Sequence, residues 1–548
     1  MTPEPDIDQI REQEYAKVKA EHDAKPTEAV LPEICVTNRQ LRSTADDALA
    51  ALQSVNDPPF LFARGQTMVA VFTDEKQRYV IGEVTESALR GWMTRSANYF
   101  RINAKGDMVD IPPPIDVVRD VLALPPSQWR FQSLDAIVAI PILRPDGTIL
   151  DAPGYDPTTQ LFYAPDPDLR IPAIAEEPSS DHLQIALEII DQAIGEFPYA
   201  DSASRANTIA ALLTPIIKPA INAPAPLGLF DAPQAGTGKS LLCDVVAIVS
   251  TGRAGEMFSA PKDEDEWRKV ITTALSSGTS VVIFDNITRP LENADLCSAL
   301  TSTIWADRAM RTHSKTSLAV KATFLASGNN VRLAGDMPRR CYQIRLDAKS
   351  STPFLRTGPE PGTNFRIADL KVWTMDHRGE LLAALLTLAR AWYAAGEPKP
   401  RIKPLGSFEK WTTTVGGILE FAGVKGFMEN APAMYEDTDD ESREWEGFLL
   451  QLDKAFYGEP FTVSAIMEKL NTSTTGSEAT PLRSVLPGYL AEAMDRDGFF
   501  QKRTGRAFAA RADRRFGASG VHLKRGTVLT GRLQWEVVVP EAKPPAEG

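Results

Sequence analysis

The stretch "LGLFDAPQAGTGKSLLCDVVAIVS", residues 227–250, decides the fold. A short apolar run comes first, a loop with two glycines follows, and a further apolar run is typical of a helix. A strand, a glycine-rich loop and a helix in this order bring backbone N–H groups and the helix N-terminus together around a phosphate group. The sequence therefore predicts a phosphate-binding loop in an α/β domain.

The residues of this loop have separate expected roles. Gly236 and Gly238 let the backbone curl closely, Lys239 is expected to reach the β- and γ-phosphates, and Ser240 is expected to hold Mg²⁺ through its hydroxyl. Pro233 stands where the pattern GxxxxGKS/T has its first glycine, and because proline lacks an N–H, one possible donor is lost at the loop entrance. A chance GTGKS in an unrelated turn is the alternative. We predict ATP and Mg²⁺ as cofactors, with loop contacts from Pro233, Gly236, Thr237, Gly238, Lys239, Ser240 and Leu241.

A second apolar strand, "SVVIFDNI", spans 280–287. Its apolar run "VVIFD" places Asp285 near the C-terminal end, where a partner of a Mg²⁺-bound water belongs. The next residue is Asn286, and an amide cannot act as a general base. Either another carboxylate activates the water or Asn286 only orients it. The acids at 263–266 offer carboxylates upstream, although they are more typical of a solvated helix start.

Two further features follow along the chain. The strand "KATFLASGNN" at 321–330 ends in polar residues, and Asn329 is expected to contact the γ-phosphate or the attacking water. Before the strand at 341–348 come Arg339 and Arg340, which we interpret as an arginine finger acting on a neighbouring subunit's nucleotide, with plain surface charge as the alternative. Strands separated by helices at this spacing predict a mostly parallel sheet. The predicted catalytic set is Lys239, Asp285, Asn286, Asn329, Arg339 and Arg340.

The acidic balance of the chain reverses near its end. Residues 498–535 contain nine lysines and arginines against one acid, Asp513. "TGRAFAARADRRFG" predicts a helix that ends at Gly517, and "VHLKRGTVLTGRLQWEVVVP" predicts a hairpin with its turn at Gly526 or Gly531. With two helical patterns before them they predict a winged helix, which binds duplex DNA or, alternatively, another protein. The expected DNA contacts are Arg506, Arg511, Arg514, Arg515, Lys524 and Arg525.

The patterns divide the chain into units of multidomain α/β architecture. The run of acids at 436–446 predicts a solvated loop within the helical region. The predicted units are a charged arm at 1–30, an α+β domain of unknown role at 31–172, an ATPase core with preceding helices at 181–350, a helical region at 351–456 and the winged helix at 457–540.

The P-loop, "VVIFDN", "ASGNN" and "RR", in this order, resemble the AAA+ ATPases of superfamily 3 helicases, above all the primase–helicases and replication initiators of phages and mobile genetic elements. The resemblance covers about 180–430. It implies a hexameric ring with ATP at subunit interfaces and a β-hairpin that pulls one DNA strand through the pore. That hairpin falls at 308–324, with His313 and Lys315 near its tip as DNA contacts, although an ordinary basic turn fits as well.

Composition limits the other possibilities. A net charge of −13 argues against a protein coated with nucleic acid, but leaves room for a local basic surface. The four cysteines are far apart, so neither a zinc ribbon nor a disulfide framework is expected. No membrane span or signal peptide is expected, which predicts a cytoplasmic protein. Residues 31–170 contain no convincing carboxylate triad, since Asp107 and Asp110 are only two acids near a turn, and polymerase activity is not expected.

Together these features predict an ATP-driven, ring-forming DNA helicase or replication initiator of a phage or mobile element. Single-stranded DNA would pass through the pore and duplex DNA would bind the winged helix. The second hypothesis is a non-helicase AAA+ switch that remodels a protein or DNA complex. Asn286 favours it slightly, because slow ATP hydrolysis suits a switch. The third is a DNA-binding adaptor whose nucleotide site is merely structural.

Overall fold

The computed structural model describes residues 31–540 except 76, 256, 262, 309–314, 361, 439, 473–480, 496–499, 518 and 530. The arm predicted at 1–30 lies outside the described residues. Within the described part of the chain, no helix is long and apolar enough to cross a membrane.

The N-terminal unit consists of short strands and helices around a hydrophobic cluster that runs from Ile34 to Trp129. One sheet has the order β1-β5-β6 and another has the order β2-β3-β4. The strands are β1 (Glu33–Cys35), β2 (Leu61–Arg64), β3 (Thr67–Thr73), β4 (Tyr79–Glu83), β5 (Asn98–Ile102) and β6 (Met108–Asp110), and the helices are α1 (Leu41–Ser54), α2 (Glu86–Ser96), α3 (Ile115–Ala123) and α4 (Pro126–Trp129).

Five short strands connect this unit to the rest of the chain. Buried residues between Ala136 and Tyr163 belong to the same hydrophobic cluster as the central sheet, although the sequence groups this segment with the N-terminal domain. The predicted boundary at residue 172 stays a prediction. The strands are β7 (Ala136–Val138), β8 (Ile142–Leu143), β9 (Ile149–Leu150), β10 (Gly154–Asp156) and β11 (Leu161–Tyr163).

The predicted parallel sheet is confirmed, and it has five strands in the order β13-β14-β17-β12-β18. Strand β12 is buried along its whole length and β17 along almost all of its length, which is typical of parallel strands covered on both faces. The sequence does not predict the edge strand β13, because its three residues are too few to form a recognisable apolar run. The strands are β12 (Leu227–Ala232), β13 (Met257–Ser259), β14 (Val281–Ile287), β17 (Thr323–Asn329) and β18 (Cys341–Arg345).

Helices pack on this sheet, and a separate hairpin precedes β17. The hairpin strands β15 (Ile304–Arg308) and β16 (Lys315–Ala319) pair only with each other among the described residues. The strands β13, β14 and β17 lie on one side of β12, and β18 lies on the other side. Ligands of such sheets bind at the carboxyl ends of the strands where the strand order changes direction. The helices are α5 (Ser180–Ile194), α6 (Ser202–Ile221), α7 (Lys239–Thr251), α8 (Glu264–Ser276) and α9 (Ala294–Thr301).

The helical region follows, and it corrects one prediction. The solvated loop expected at 436–446 is wrong, because helices occupy most of this run. Trp445, Phe448, Leu449 and Leu452 are fully buried at helical spacing, which is typical of a helix that packs one face on a core. The helices are α10 (Leu370–Asp376), α11 (Arg378–Ala394), α12 (Glu409–Phe421), α13 (Ala431–Thr438) and α14 (Asp440–Phe456).

The C-terminal unit has a cluster of its own, from Trp445 to Val537, and an antiparallel sheet of order β19-β22-β21-β20. The turn predicted at Gly531 is present, with a φ of +78° at that glycine, whereas Gly526 lies inside a strand. The elements are β19 (Phe461–Thr462), α15 (Val463–Thr472), α16 (Pro481–Ser484), α17 (Gly488–Asp495), α18 (Phe500–Arg511), β20 (Arg515–Phe516), β21 (Val521–Leu529) and β22 (Arg532–Val538).

The predicted helix ending at Gly517 is wrong in both bounds. Helix α18 begins at Phe500 and ends at Arg511, because its buried residues stop at Phe508 and the chain then turns into β20. Arg514 and Arg515, which the sequence places on this helix, therefore follow it.

Candidate functional site

The glycine-rich loop joins β12 to α7 at the carboxyl edge of the sheet. Gly236 and Gly238 have φ values of +80° and +102°, a region that glycine enters without strain. A Cβ atom on Gly236 would lie 2.8 Å from the Cβ of Phe354, and one on Gly238 would lie 3.0 Å from Cε1 of Phe197. Both the backbone conformation and the close approach of neighbours therefore require glycine in this loop.

Lys239 is the first residue of α7, and its side chain curls back into the loop. Its Nζ donates to Asn329 Oδ1 at 2.7 Å, to the Gln234 carbonyl at 3.2 Å and to Thr237 Oγ1 at 3.4 Å. Burial lowers the pKa of Lys239, while the nearby Asp231 and Asp285 charges oppose this shift. The ammonium group is thus held among oxygen atoms at the place where a phosphate would bind.

Asp285 lies at the end of β14, beside the loop. The Ser240 hydroxyl donates to Asp285 Oδ1 at 3.5 Å, and the Ser327 hydroxyl donates to the same oxygen. Hydroxyl and carboxylate oxygens are the hard ligands that Mg²⁺ prefers, so Ser240 and Asp285 fit a metal held directly and through water. Sequence reasoning missed Ser327, although it shares a strand face with Asn329 by the period of two.

Asn286 follows with a φ of +58°, a conformation in which asparagine is among the few side chains at ease. The register between β14 and β17 shifts between Phe284 and Ile287, so Asn286 lies at an irregular point of the strand and is exposed. The backbone conformation alone therefore accounts for an asparagine at this position, whether or not its amide also orients a water. The acids at 263–266 begin α8, where Asp263 accepts from the Glu266 N–H at 2.9 Å.

A buried carboxylate that the sequence reasoning missed lies at the loop entrance. Asp231 is 1% exposed, pairs with the Arg345 guanidinium and accepts from the Val331 N–H at 3.0 Å. Burial raises the pKa of Asp231, while these partners oppose the shift. Arg345 also donates to Asn330 Oδ1 at 3.1 Å, and Asn330 donates to the Pro233 carbonyl at 3.4 Å. The network holds the entrance where proline replaces the usual glycine.

The two adjacent arginines have different surroundings. Arg340 is largely buried, and it donates to the Cys297 carbonyl at 2.6 Å and to Thr301 Oγ1 at 2.8 Å at the end of α9. Arg339 has a half-exposed side chain that pairs with Asp336. Arg340 therefore fixes the turn to the domain, whereas Arg339 faces the surface.

The hairpin predicted as the DNA contact is present at its base. The tip, at 309–314 and including His313, lies outside the described residues, and Lys315 is described only as the first residue of β16. The base packs on α8 through Asp307, which accepts from Arg268 Nε at 2.9 Å and from Thr272 Oγ1 at 2.6 Å.

The basic residues of the C-terminal unit divide into two groups. Arg511 lies over the Trp445 ring at 5.0 Å and Arg514 over the Phe516 ring at 5.1 Å, so their planar groups pack on aromatic side chains of their own unit. Arg514 is nevertheless exposed. The second group is exposed as well and consists of Arg506, Arg515, Lys524 and Arg525, together with Lys502 and Arg503 on α18, which the predicted set omits.

Comparisons with known proteins give only distant similarities. No family model matches the chain, and no curated protein matches it. The apo C-terminal region of NrS-1 is similar at 12% identity and a TM-score of 0.37, over 86% of this chain and 96% of that one. The active helicase SCCmec type IV Cch is similar at 14% identity and 0.31, over 75% and 76% of the two chains. A ligand-bound JCV helicase is similar at 12% identity and 0.20, over 47% of this chain and 71% of that one. Similarities this low carry no argument about the activity of this chain.

Proposed function

We propose that this protein is an ATP-driven DNA helicase or replication initiator of a phage or mobile genetic element, and that it works as a hexameric ring. The convergence of Lys239, Ser240, Asp285 and Asn329 at one edge of the parallel sheet carries the proposal. Lys239 and Ser240 at the start of α7, and Asp285 and Asn329 at two strand ends, fit the arrangement that a nucleoside triphosphate and Mg²⁺ require.

Each of these side chains has a distinct role in the proposal. Lys239 binds the β- and γ-phosphates, and Ser240 and Asp285 hold Mg²⁺, which neutralises the charge that develops during phosphoryl transfer. Asn329, which now accepts from Lys239, is positioned to turn its amide toward the γ-phosphate or the attacking water. Ser327 keeps the Asp285 carboxylate in place.

The different surroundings of the two arginines support the ring in this proposal. In the proposal Arg339 is the finger that acts on the nucleotide of a neighbouring subunit, and its side chain, 51% exposed, is accessible to such a neighbour. Arg340 cannot leave its place without breaking its bonds to α9. The turn at 338–340 thus presents one arginine and anchors the other.

Two surfaces serve DNA in this proposal. The hairpin of β15 and β16 touches the backbone of the translocated strand, and the exposed basic face of α18 and β21 binds duplex DNA. On α18 the exposed Lys502, Arg503 and Arg506 share a face with Ala509 and Ala510, whose small side chains allow close approach.

The test is ATP hydrolysis with and without single-stranded DNA. We expect turnover that DNA stimulates and that Lys239→Ala abolishes. Lys371→Ala serves as the matched control, because that lysine, on α10, forms its ion pair with Asp244 of α7 and not with a residue of the loop. Absence of any turnover in the wild type refutes the proposal and leaves the adaptor with a structural nucleotide site.

One observation favours a second candidate, a non-helicase AAA+ switch. Asn286 is exposed next to Asp285 and has no carboxylate with which to accept a proton from water. Slow hydrolysis suits a switch that remodels a protein or DNA complex. Slow turnover without unwinding of a fork in either polarity selects this candidate over the helicase.

A further inference from the structure

The N-terminal unit touches the base of the hairpin directly. The turn between β2 and β3 packs against β16, where a Cβ atom on Gly65 would lie 2.6 Å from the carbonyl oxygen of Ser317. Gly65 has a φ of +60°, so both the conformation and the contact exclude a side chain. The contact joins segments about 250 residues apart in sequence.

Arg64, the residue before this glycine, reaches the end of α8. Its guanidinium donates to the carbonyls of Ser276 and Leu275, the latter at 2.7 Å, and to the Asp135 carbonyl at 3.1 Å. Burial lowers the pKa of Arg64 to about 10, so the side chain stays charged at neutral pH. A buried cation at the carbonyl end of a helix complements the helix dipole.

Helix α8 in turn holds the other hairpin strand. Trp305 Nε1 donates to Thr272 Oγ1 at 3.0 Å, and the same hydroxyl donates to Asp307. At its other end, α8 contacts β14, because Trp267 packs on Phe284 with ring centroids 4.6 Å apart. Phe284 immediately precedes Asp285 in β14. Helix α8 therefore contacts the N-terminal unit, the hairpin and β14, the strand that carries Asp285.

A third tie lies where the chain leaves the hairpin. Lys321, just after β16, forms an ion pair with Asp135 at 3.1 Å, and both side chains are mostly buried. Asp135 belongs to the segment that follows α4. The hairpin base is thus held on the β2–β3 turn, on α8 and at its exit.

We propose that the N-terminal unit is a brace for the hairpin, with Arg64 and Gly65 as positioning residues for translocation. An isolated two-stranded hairpin is marginally stable, and one that pushes on a phosphate backbone requires a rigid base. The role in translocation rests on the proposed function, whereas the brace is a property of the folded chain.

The first test compares two glycine variants by amide hydrogen exchange. Gly65→Ala places a methyl group against Ser317, whereas Gly106→Ala has a similar positive φ of +90° but no atom within 4 Å of its Cβ. We expect exchange in β15 and β16 to accelerate about tenfold or more in Gly65→Ala and to stay unchanged in Gly106→Ala, because a loosened base lets the hairpin open locally. Equal exchange in the two variants overturns the brace.

The second test separates the brace from general destabilisation. Arg64→Met is paired with Arg378→Met, since Arg378 is also a buried arginine that donates to backbone carbonyls, those of Val249 and Ala139. We expect Arg64→Met to slow unwinding roughly 10-fold to 100-fold, as small misplacements do, while its DNA-free ATP turnover matches that of the control. Unwinding at the control's rate overturns the role in translocation. If the wild type unwinds no DNA, the proposed function fails, and hydrogen exchange still decides the brace.

Discussion

Replacement of the two adjacent arginines should separate catalysis from stability. Arg339→Ala removes an ion pair whose two side chains are 51% and 44% exposed, and such surface pairs contribute about 0–1 kcal/mol. The melting temperature should therefore hardly change. As the proposed finger, Arg339 should contribute a factor of roughly 10³–10⁵ to ATP turnover.

Arg340→Ala should show the opposite pattern. Its side chain is only 13% exposed and donates to Asp336, the Cys297 carbonyl and Thr301. Loss of these charge-assisted bonds should destabilise the domain by about 2–4 kcal/mol. That loss lowers the melting temperature by about 5–10 °C for a domain of this size.

Mixing two inactive variants tests whether Arg339 acts on a neighbour. Arg339→Ala keeps the loop intact, and Lys239→Ala keeps the finger intact. Random assembly in equal amounts should regenerate roughly a quarter of the interfaces and a matching share of the ATPase rate, because ring interfaces are heterologous. A chain with both substitutions, mixed with either single variant, is the control. No recovery from subunits that demonstrably exchange would show that Arg339 does not act in trans.

Three further predictions follow from other parts of the structure. Ser327→Ala should raise the Mg²⁺ concentration needed for half-maximal ATPase roughly 10-fold, because a group that orients a metal ligand is lost; an unchanged Mg²⁺ requirement would exclude this role. Replacing Lys502, Arg503 and Arg506 by alanine should reduce the salt dependence of duplex DNA binding by a log–log slope of about 0.9 for each lost phosphate contact, with the fully exposed Arg401→Ala as the control. Burial lowers the pKa of Lys218 to about 7, so between pH 7 and 10 the unfolded chain binds more protons and stability should rise with pH; thermal melts of Lys218→Met should lack this rise.

The arrangement of the candidate site was predictable where local chemistry alone defines it. The glycines, Lys239 and Ser240 follow from the pattern of the loop, and the polar strand ends at Asp285 and Asn329 follow from apolar runs that stop in a polar residue. In a parallel sheet the carboxyl ends of the strands lie at the same edge. Strands identified one by one from the sequence therefore already place Asp285 and Asn329 close together.

Long-range contacts explain what the sequence left open. Arg340 resembles Arg339 in sequence, and only its contact with α9, some 40 residues away, shows it to be an anchor. The Asp231–Arg345 pair joins strands more than 100 residues apart. The end of α18 depends on where the buried face stops and β20 begins, and a run of basic residues carries no signal for either.

Fork unwinding and ATP hydrolysis, measured in the same reaction, test most directly whether this nucleotide site drives movement on DNA. We expect the wild type to separate a forked duplex in one polarity and to hydrolyse ATP as it does so. Asp285→Asn should abolish both activities together, because the carboxylate beside Ser240 is lost. Persistent ATP turnover with an intact fork, in both polarities, would contradict the helicase function.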